Sequence, residues 1–226
     1  MSLVIKTVMV VLFLGPLYAQ VAVDPEGMRA TKTVRTLKDM RNAQVVRQQW
    51  DVSCGAAALS TLLTYDFKDN TPETAVVVWM LRRTDPVKMR ARGGFSLLDL
   101  KRFAQARGYR AEGFSGMSLE ELADLKTAAI VPIHSKSVDH FVVVRGVFGD
   151  RVVFSDPAFG NRTMKTNKFL DVWKQGIAFI VRPPDPMMLQ RRQQERSALS
   201  AVIRPEGAAI IRVLEQSIPS TPLSGR

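Results

Sequence analysis

The feature of this sequence that most constrains its fold is a change of hydrophobic period near Lys126. Before Lys126, apolar residues recur at helical spacing, as at Leu59, Leu62 and Leu63. After it come short segments rich in β-branched residues and bounded by turn residues, at 129–134, 140–147, 151–154 and 177–181. A helical half followed by a strand half predicts an α+β fold with one mainly antiparallel sheet.

One predicted helix begins at Cys54, the only cysteine in the chain, and Asp51 and Ser53 precede it as candidate caps. A single cysteine cannot form an intramolecular disulfide, so Cys54 is either an inert core residue or a reactive thiol. The position favours a reactive thiol, because a helix N-terminus stabilises a thiolate through its unpaired N–H groups and its dipole. Gly55 leaves space for a substrate carbonyl, and the Cys54 N–H can help to bind the oxyanion.

Three further helices are predicted from their start and stop signals. One opens at residues 71–73, with proline at the first helical position. Another starts at Ser96 and stops at Gly108. The last is short and has the capping-box spacing from Ser118 to Glu121.

A cysteine nucleophile also requires a second oxyanion donor and a general base. Gln48, six residues before the cysteine, is a neutral amide that can reach the same point, and Gln49 is the competing choice. The sequence contains two histidines, His134 and His140, so one of them is the base. We favour His140, because it begins a predicted strand whose hairpin partner ends in a carboxylate.

That carboxylate is Asp156, which can hold the imidazole of His140 in the required tautomer. Side chains alternate between faces along a strand, so the pairing register decides whether the two residues meet. A two-residue turn at 149–150 with regular pairing puts His140 and Asp156 on opposite faces. A triad therefore requires a bulge or an odd loop, such as a five-residue loop over 146–150 that sets His140 opposite Asp156.

The two ends of the chain differ in composition from its middle. Lys6, an apolar run at 8–14, two helix breakers and a small residue at Ala19 predict an export signal over residues 1–22 and a periplasmic location. An uncleaved membrane anchor is the alternative for this segment. We predict a lead-in at 23–43, one catalytic domain at 44–182, and an appendage of uncertain order at 183–226.

Basic residues are in excess, with a formal net charge of +11. Nine of them lie in residues 82–110, from Arg82 to Arg110, against two acidic ones. This segment is predicted to form an electropositive face that associates with anionic surfaces or acidic partners. Nucleic acid is not expected as a partner, because the sequence has an export signal and lacks a recognisable nucleic-acid-binding motif.

Several motifs within residues 44–182 together resemble one known family. They are Gln48, CGAAA from Cys54, GGFSLLDL from Gly93, HFVV from His140, and the SDP that contains Asp156. This combination is similar to the bacteriocin-processing, double-glycine leader peptidases, cysteine peptidase family thirty-nine. The sequence departs from the family at Ser53, where an acidic residue is common, and we expect no fused transporter.

The resemblance implies a papain-like α+β fold, with the helical half packed on the sheet that carries the histidine and the aspartate. It implies Cys54 as nucleophile, His140 as base, Asp156 as orienting carboxylate and Gln48 as oxyanion donor. Family members typically cut after a Gly-Gly or Gly-Ala pair that ends a leader. A free-standing exported member resembles the peptidases of functional-amyloid secretion in biofilms, which implies fibre subunits and secretion-system components as partners.

Two other functions stay open at this stage. A transglutaminase-like enzyme or a cell-wall amide hydrolase also uses Cys, His and a carboxylate at a helix–sheet junction, although Gln48 favours a peptidase. A non-catalytic, peptidase-like domain that binds a leader or a fibre subunit is the non-enzymatic alternative. No cofactor and no metal are expected, because neither His134 nor any carboxylate pair has metal-ligand spacing.

Overall fold

The structure is a computed structural model that describes residues 20–23, 30–33, 36–135, 138–185 and 187. The chain divides into two compact units, residues 1–36 and residues 37–226. In the first unit, β1 (Gln20–Val23) and β2 (Ala30–Thr33) form an antiparallel pair. The apolar run at 8–14 and residues 188–226 of the appendage lie outside the described residues.

The second unit begins with helices. They are α1 (Leu37–Asn42), α2 (Cys54–Thr61), α3 (Glu73–Leu81), α4 (Pro86–Ala91), α5 (Leu97–Ala106) and, after one strand, α6 (Leu119–Asp124). A π-helical turn, Leu62–Asp66, extends α2. The lead-in at 23–43 was predicted to be irregular, but it contains β2 and α1. Both elements are too short to show a clear hydrophobic period in the sequence.

A six-stranded sheet forms the other half. Its strands are β3 (Arg110–Phe114), β4 (Ala129–Ser135), β5 (Val138–Phe148), β6 (Arg151–Asp156), β7 (Gly160–Lys165) and β8 (Ala178–Arg182). Helix α7 (Thr166–Val172) and a 3₁₀ turn (Lys174–Gly176) join β7 to β8. The strand order is β3-β8-β4-β5-β6-β7, and all paired strands are antiparallel, which confirms the predicted α+β fold.

Helix boundaries follow the predicted signals closely. Ser96 and Ser118 both cap helices through capping boxes, completed by Asp99 and Glu121 respectively. The prediction for α3 was wrong by one position, because Pro72 is its N-cap and not its first helical residue. These starts could be predicted because each depends on side chains within one turn of the helix.

Apolar residues on the two faces of the sheet belong to two different clusters. Val143 and Ile130 pack with the cluster that contains Leu59, whereas Val142 and Phe154 pack on the opposite face. Burial on both faces fixes the register, because a slip of one residue would exchange every side chain between the two clusters.

The hairpin of β5 and β6 contains the bulge that the candidate triad requires. Phe148 pairs with Arg151 across a two-residue turn, and the register shifts between Val144 and Gly146. The alternative of a five-residue loop at 146–150 is therefore wrong. Beyond the bulge the pairing is offset by one residue, which brings Asp156 to the same face of the sheet as His140.

Arg145 is the extra residue at this bulge, and its side chain is held from three directions. Its guanidinium donates to Ser155 Oγ (3.1 Å) and to Gln44 O (3.2 Å). It also forms an ion pair with Asp66, at the end of the π-helical turn after α2. The bulge is therefore stabilised by contacts with the helical half of the chain.

None of the helices in the described part of the chain combines the length and the apolar character needed to span a membrane.

Candidate active site

Helix α2 begins at the sulfur-bearing residue and lacks a side-chain cap. Ser53, not Asp51, is the N-cap residue, but its hydroxyl makes no capping hydrogen bond. Its single O–H instead has two acceptors within reach, Glu73 Oε1 (2.5 Å) and Trp50 O (2.8 Å), and the shorter distance favours Glu73. The prediction of Ser53 as a capping side chain is thus wrong, and the N–H groups of the first turn stay available for a negatively charged group.

Cys54, His140 and Asp156 lie together at this helix start. Cys54 is 6% exposed, and the side chains of His140 and Asp156 are 17% and 2% exposed. His140 Nε2 is 2.8 Å from Asp156 Oδ1, which leaves Nδ1 as the ring nitrogen for the thiol of Cys54. The backbone N–H groups of Ala158 and Phe159 also donate to Asp156 Oδ1, at 2.8 and 3.2 Å, and hold the carboxylate in place.

The electrostatics of the pair favour a charged imidazolium. Burial alone lowers the pKa of His140, but the hydrogen bonds and charges of Asp156 and Cys54 outweigh it and raise that pKa to about 9. Burial likewise acts to raise the pKa of Asp156, and the hydrogen bond and charge of His140 reverse this and lower it. At neutral pH the site therefore holds a protonated ring beside an ionised carboxylate.

The alternative base, His134, contacts another group. Its Nδ1 lies 2.7 Å from Oδ1 of Asp139, and both side chains are exposed. Asp139 faces His134 directly across β4 and β5. Of the two histidines, His140 is the one whose ring interacts with Cys54.

Gln48 lies in the loop before α2, beside the turn that follows Asp156. Its backbone N–H donates to Pro157 O (3.0 Å), and its Nε2 donates to Trp50 O (3.0 Å). Nε2 carries two hydrogens, so the second one is available to an oxyanion. The competing residue, Gln49, is held through its backbone N–H by Glu73.

Glu73 is the residue of this site that the sequence did not reveal. It is the first residue of α3 and is 1% exposed, yet its carboxylate accepts hydrogen bonds from Gln49 N–H and from Ser53 Oγ. These two partners lie near the two ends of the segment that runs from Gln48 to Cys54. One signal in the sequence could have indicated a carboxylate from elsewhere in the chain. Ser53 stands directly before Cys54, where members of the resembled family commonly have an acidic residue.

Two glycines allow the backbone to pack closely around Cys54. Gly94 has φ +152°, and a Cβ there would lie 2.8 Å from Val52 O, so only glycine fits without a shift. Gly55 is buried, and a Cβ there would lie 3.1 Å from the ring of Phe141. The space next to Gly55 is therefore filled by Phe141, which corrects its interpretation as room for a substrate carbonyl.

Within the described residues, no group of three or more His, Cys, Asp or Glu side chains is placed to hold a metal ion.

Chemically, the arrangement of Cys54, His140 and Asp156 is suited to nucleophilic acyl transfer. The thiol supplies the nucleophile, and the imidazole can carry the proton from thiol to leaving group.

Comparisons with known proteins agree with this chemistry. Residues 42–185 match the model of the peptidase C39 family. A protein of Pseudomonas aeruginosa named "Probable functional amyloid protease FapD" is 35% identical over 180 residues, which cover 74% of this chain and 78% of that protein.

Two solved structures are similar in fold. One is the peptidase domain of Streptococcus ComA, with a TM-score of 0.52 and 22% identity over 62% of this chain and 97% of that one. The other is a double glycine motif protease from an AMS/PCAT transporter in complex with its leader peptide, with a TM-score of 0.50 and 28% identity, over 62% of this chain and 90% of that one. They confirm the predicted papain-like α+β fold.

Proposed function

This chain belongs to the peptidase C39 family and is a cysteine peptidase, and on that premise we propose that Cys54, His140 and Asp156 cleave a peptide bond in a secreted protein or leader. The single observation that supports this most strongly is the His140 ring, held by Asp156 at 2.8 Å and interacting with Cys54 at an uncapped helix start.

The proposed mechanism has two acyl-transfer steps. The Cys54 thiolate attacks the scissile carbonyl carbon, and the Cys54 N–H and Gln48 Nε2 donate to the resulting oxyanion. The C–N bond then breaks, and the leaving amine takes the proton of the His140 imidazolium. In the second step His140 removes a proton from water as the water oxygen attacks the thioester carbon. The C–S bond then breaks and Cys54 leaves as the thiolate, so the thiolate and the His140 imidazolium are restored as the acid product departs.

The substrate is proposed from the names of the relatives. One relative is named a functional amyloid protease, and one solved relative is a double glycine motif protease bound to a leader peptide. We therefore propose that this chain processes a fibre subunit or a leader after a Gly-Gly type site and that it acts together with secretion-system components. The export signal predicted for residues 1–22 supports a periplasmic location for this role. Residues 82–110, whose arginines and lysines are mostly exposed, supply a surface for anionic partners.

The proposal is tested by incubating the protein with precursor peptides that contain a Gly-Gly site and identifying products by mass spectrometry. Wild type should release two fragments, and Cys54→Ala should release none. Cleavage of peptidoglycan fragments in place of the peptides would support the amide-hydrolase alternative. Processing of the partner in cells by Cys54→Ala would instead support a non-catalytic binding role.

Asp156→Asn is expected to move the alkaline limb of the pH–activity profile to lower pH. The raised pKa of His140, about 9, keeps the imidazolium protonated, so the activity of wild type should fall as pH rises through that value. Without the negative charge of Asp156, burial, which lowers the pKa of His140, is opposed by Cys54 alone, so the limb should shift down by about 1–2 pH units. The measurement is kcat/KM from pH 5 to 10, and an unchanged limb would contradict the assigned role of Asp156.

A further inference from the structure

The register of the β5–β6 hairpin decides which face of the sheet carries Asp156. Beyond the bulge, Val143 pairs with Ser155. The next residue of β6, Asp156, therefore lies on the same face as His140. Without the bulge, the regular pairing from the turn would set Asp156 opposite Val143, whose side chain lies on the other face. The candidate triad is thus compatible with the bulged register and not with the regular one.

Arg145, the extra residue of the bulge, disfavours the regular register. Regular pairing from the turn would set it opposite Phe154, which is 1% exposed in the apolar cluster that contains Val142. A guanidinium without a partner is costly to bury among apolar side chains. The charge at this position therefore selects against the register that would separate Asp156 from His140.

In the bulged register the guanidinium has matching partners. It forms an ion pair with Asp66, and the side chains of Arg145 and Asp66 are 17% and 19% exposed. Its Nε donates to Ser155 Oγ (3.1 Å), which belongs to the residue directly before Asp156. Breaking a largely buried ion pair is strongly destabilising, because each charge then lacks its partner. The bulge therefore cannot straighten without a large cost in free energy.

A chain of hydrogen bonds connects the bulge to α1. Ser155 is 1% exposed, and its hydroxyl donates to Asn161 Oδ1 (2.8 Å) on the neighbouring strand β7. Asn161 Nδ2 in turn donates to the carbonyl oxygens of Met40 (3.1 Å) and Ala43 (2.7 Å). The part of β6 that precedes Asp156 is therefore held from both neighbouring strands.

We propose that Arg145 is a positioning residue of the candidate triad, which holds the bulge in β5 and thereby keeps Asp156 on the face of His140. The inference rests on the proposed peptidase function and adds a control of strand register to it. Arg145 acts through Asp156 and does not contact the reacting atoms.

The first test is a double-mutant cycle. Arg145→Met removes the cation and supplies a side chain that can pack opposite Phe154, so kcat/KM for a Gly-Gly peptide should fall by about 10–100-fold. In an Asp156→Ala background the same change should cost about threefold or less, because the residue that it positions is already absent. Equal losses in the two backgrounds would overturn the proposal.

Two further substitutions serve as controls. Arg145→Lys keeps a positive charge and should keep most of the activity. Asp69→Asn removes a carboxylate of another ion pair, with Arg107 (2.6 Å), which lies outside the β5–β6 hairpin. It should leave kcat/KM and its pH profile unchanged. A loss in Asp69→Asn as large as that in Arg145→Met would show that the loss is not specific to the bulge.

Deletion of residue 145 is the sharper test. It removes the extra residue, so a regular ladder then leaves Asp156 on the face of His140. The deletion is compared with Arg145→Met, both in an Asp66→Asn background, so that neither variant has an unpaired carboxylate at this position. The deletion variant should be about tenfold more active than the substituted one. A deletion variant that is equally active or less active would refute control of the register by Arg145.

Alkylation of Cys54 at neutral pH is a readout that does not depend on cleavage. Asp156 raises the pKa of His140, and the imidazolium stabilises the reactive thiolate. Alkylation should therefore be slow in Arg145→Met and close to the wild-type rate in the deletion variant. Equal rates in all three proteins would contradict the proposal. If the rates follow the expected order but wild type cleaves no peptide, the control of register stands and the proposed function fails.

Discussion

Replacing His140 by alanine is expected to lower kcat/KM for peptide cleavage by about 10²–10⁴-fold, because the protein loses the proposed proton carrier and the cation proposed to stabilise the thiolate. The same change should slow alkylation of Cys54 at neutral pH, since a thiolate is the reactive form and the imidazolium stabilises it. Cys54 is the only cysteine in the chain, so an alkylating reagent reports on this thiol alone.

His134→Ala is the matched control for this experiment. Its ring pairs with Asp139 and is exposed, so removing it should leave both the cleavage rate and the alkylation rate close to those of wild type. Fast alkylation of Cys54 that is unaffected by His140→Ala would contradict the assigned pair. Loss of activity in His134→Ala alone would reassign the base.

Glu73→Ala is expected to lower both stability and activity although it leaves Cys54, His140 and Asp156 in place. It removes the acceptor of the part-buried Gln49 N–H, and an unsatisfied buried donor costs about 1–3 kcal/mol, whereas the Ser53 hydroxyl can still donate to Trp50 O. We therefore expect the free energy of unfolding to fall by about 1–3 kcal/mol. The segment from Gln48 to Cys54 should also move, and misplacement of an attacking group by about 1 Å costs about 100-fold in rate.

The measurements are denaturant unfolding and kcat/KM at a temperature where the variant stays folded. Glu121→Ala is the matched control, because Glu121 is an exposed glutamate in the capping box of α6, away from the cysteine loop. It should cost about 1 kcal/mol of stability and leave kcat/KM unchanged. If Glu73→Ala is destabilised but keeps the wild-type kcat/KM, Glu73 only stabilises the fold and does not position the site.

A rescue variant separates positioning from stability further. In the double variant Glu73→Ala/Ser53→Asp, the aspartate directly before Cys54 supplies a carboxylate in place of the one removed from α3. We expect partial recovery of the alkylation rate and of kcat/KM, because the new carboxylate can accept the N–H of Gln49. No recovery in a folded double variant would show that the carboxylate has to come from α3.

The sequence predicted the elements with strong local signals and missed those without them. The capping boxes at Ser96 and Ser118 could be predicted because the interacting side chains are three residues apart. The edge strands β3 and β7 were missed, because β3 buries only Ala111 and β7 has a mixed polar pattern with no period of two. Helix α4 was missed because it is short and mostly exposed.

By itself, the sequence determined the types of side chain available at this site and the elements that carry them, because helix starts and strand periods depend on neighbouring residues. Only the tertiary structure decided how those elements meet. The bulge at Arg145 depends on its contact with Asp66, 79 residues away, and Glu73 reaches Ser53 across 20 residues. Such contacts follow from packing between distant segments, and no local pattern encodes them.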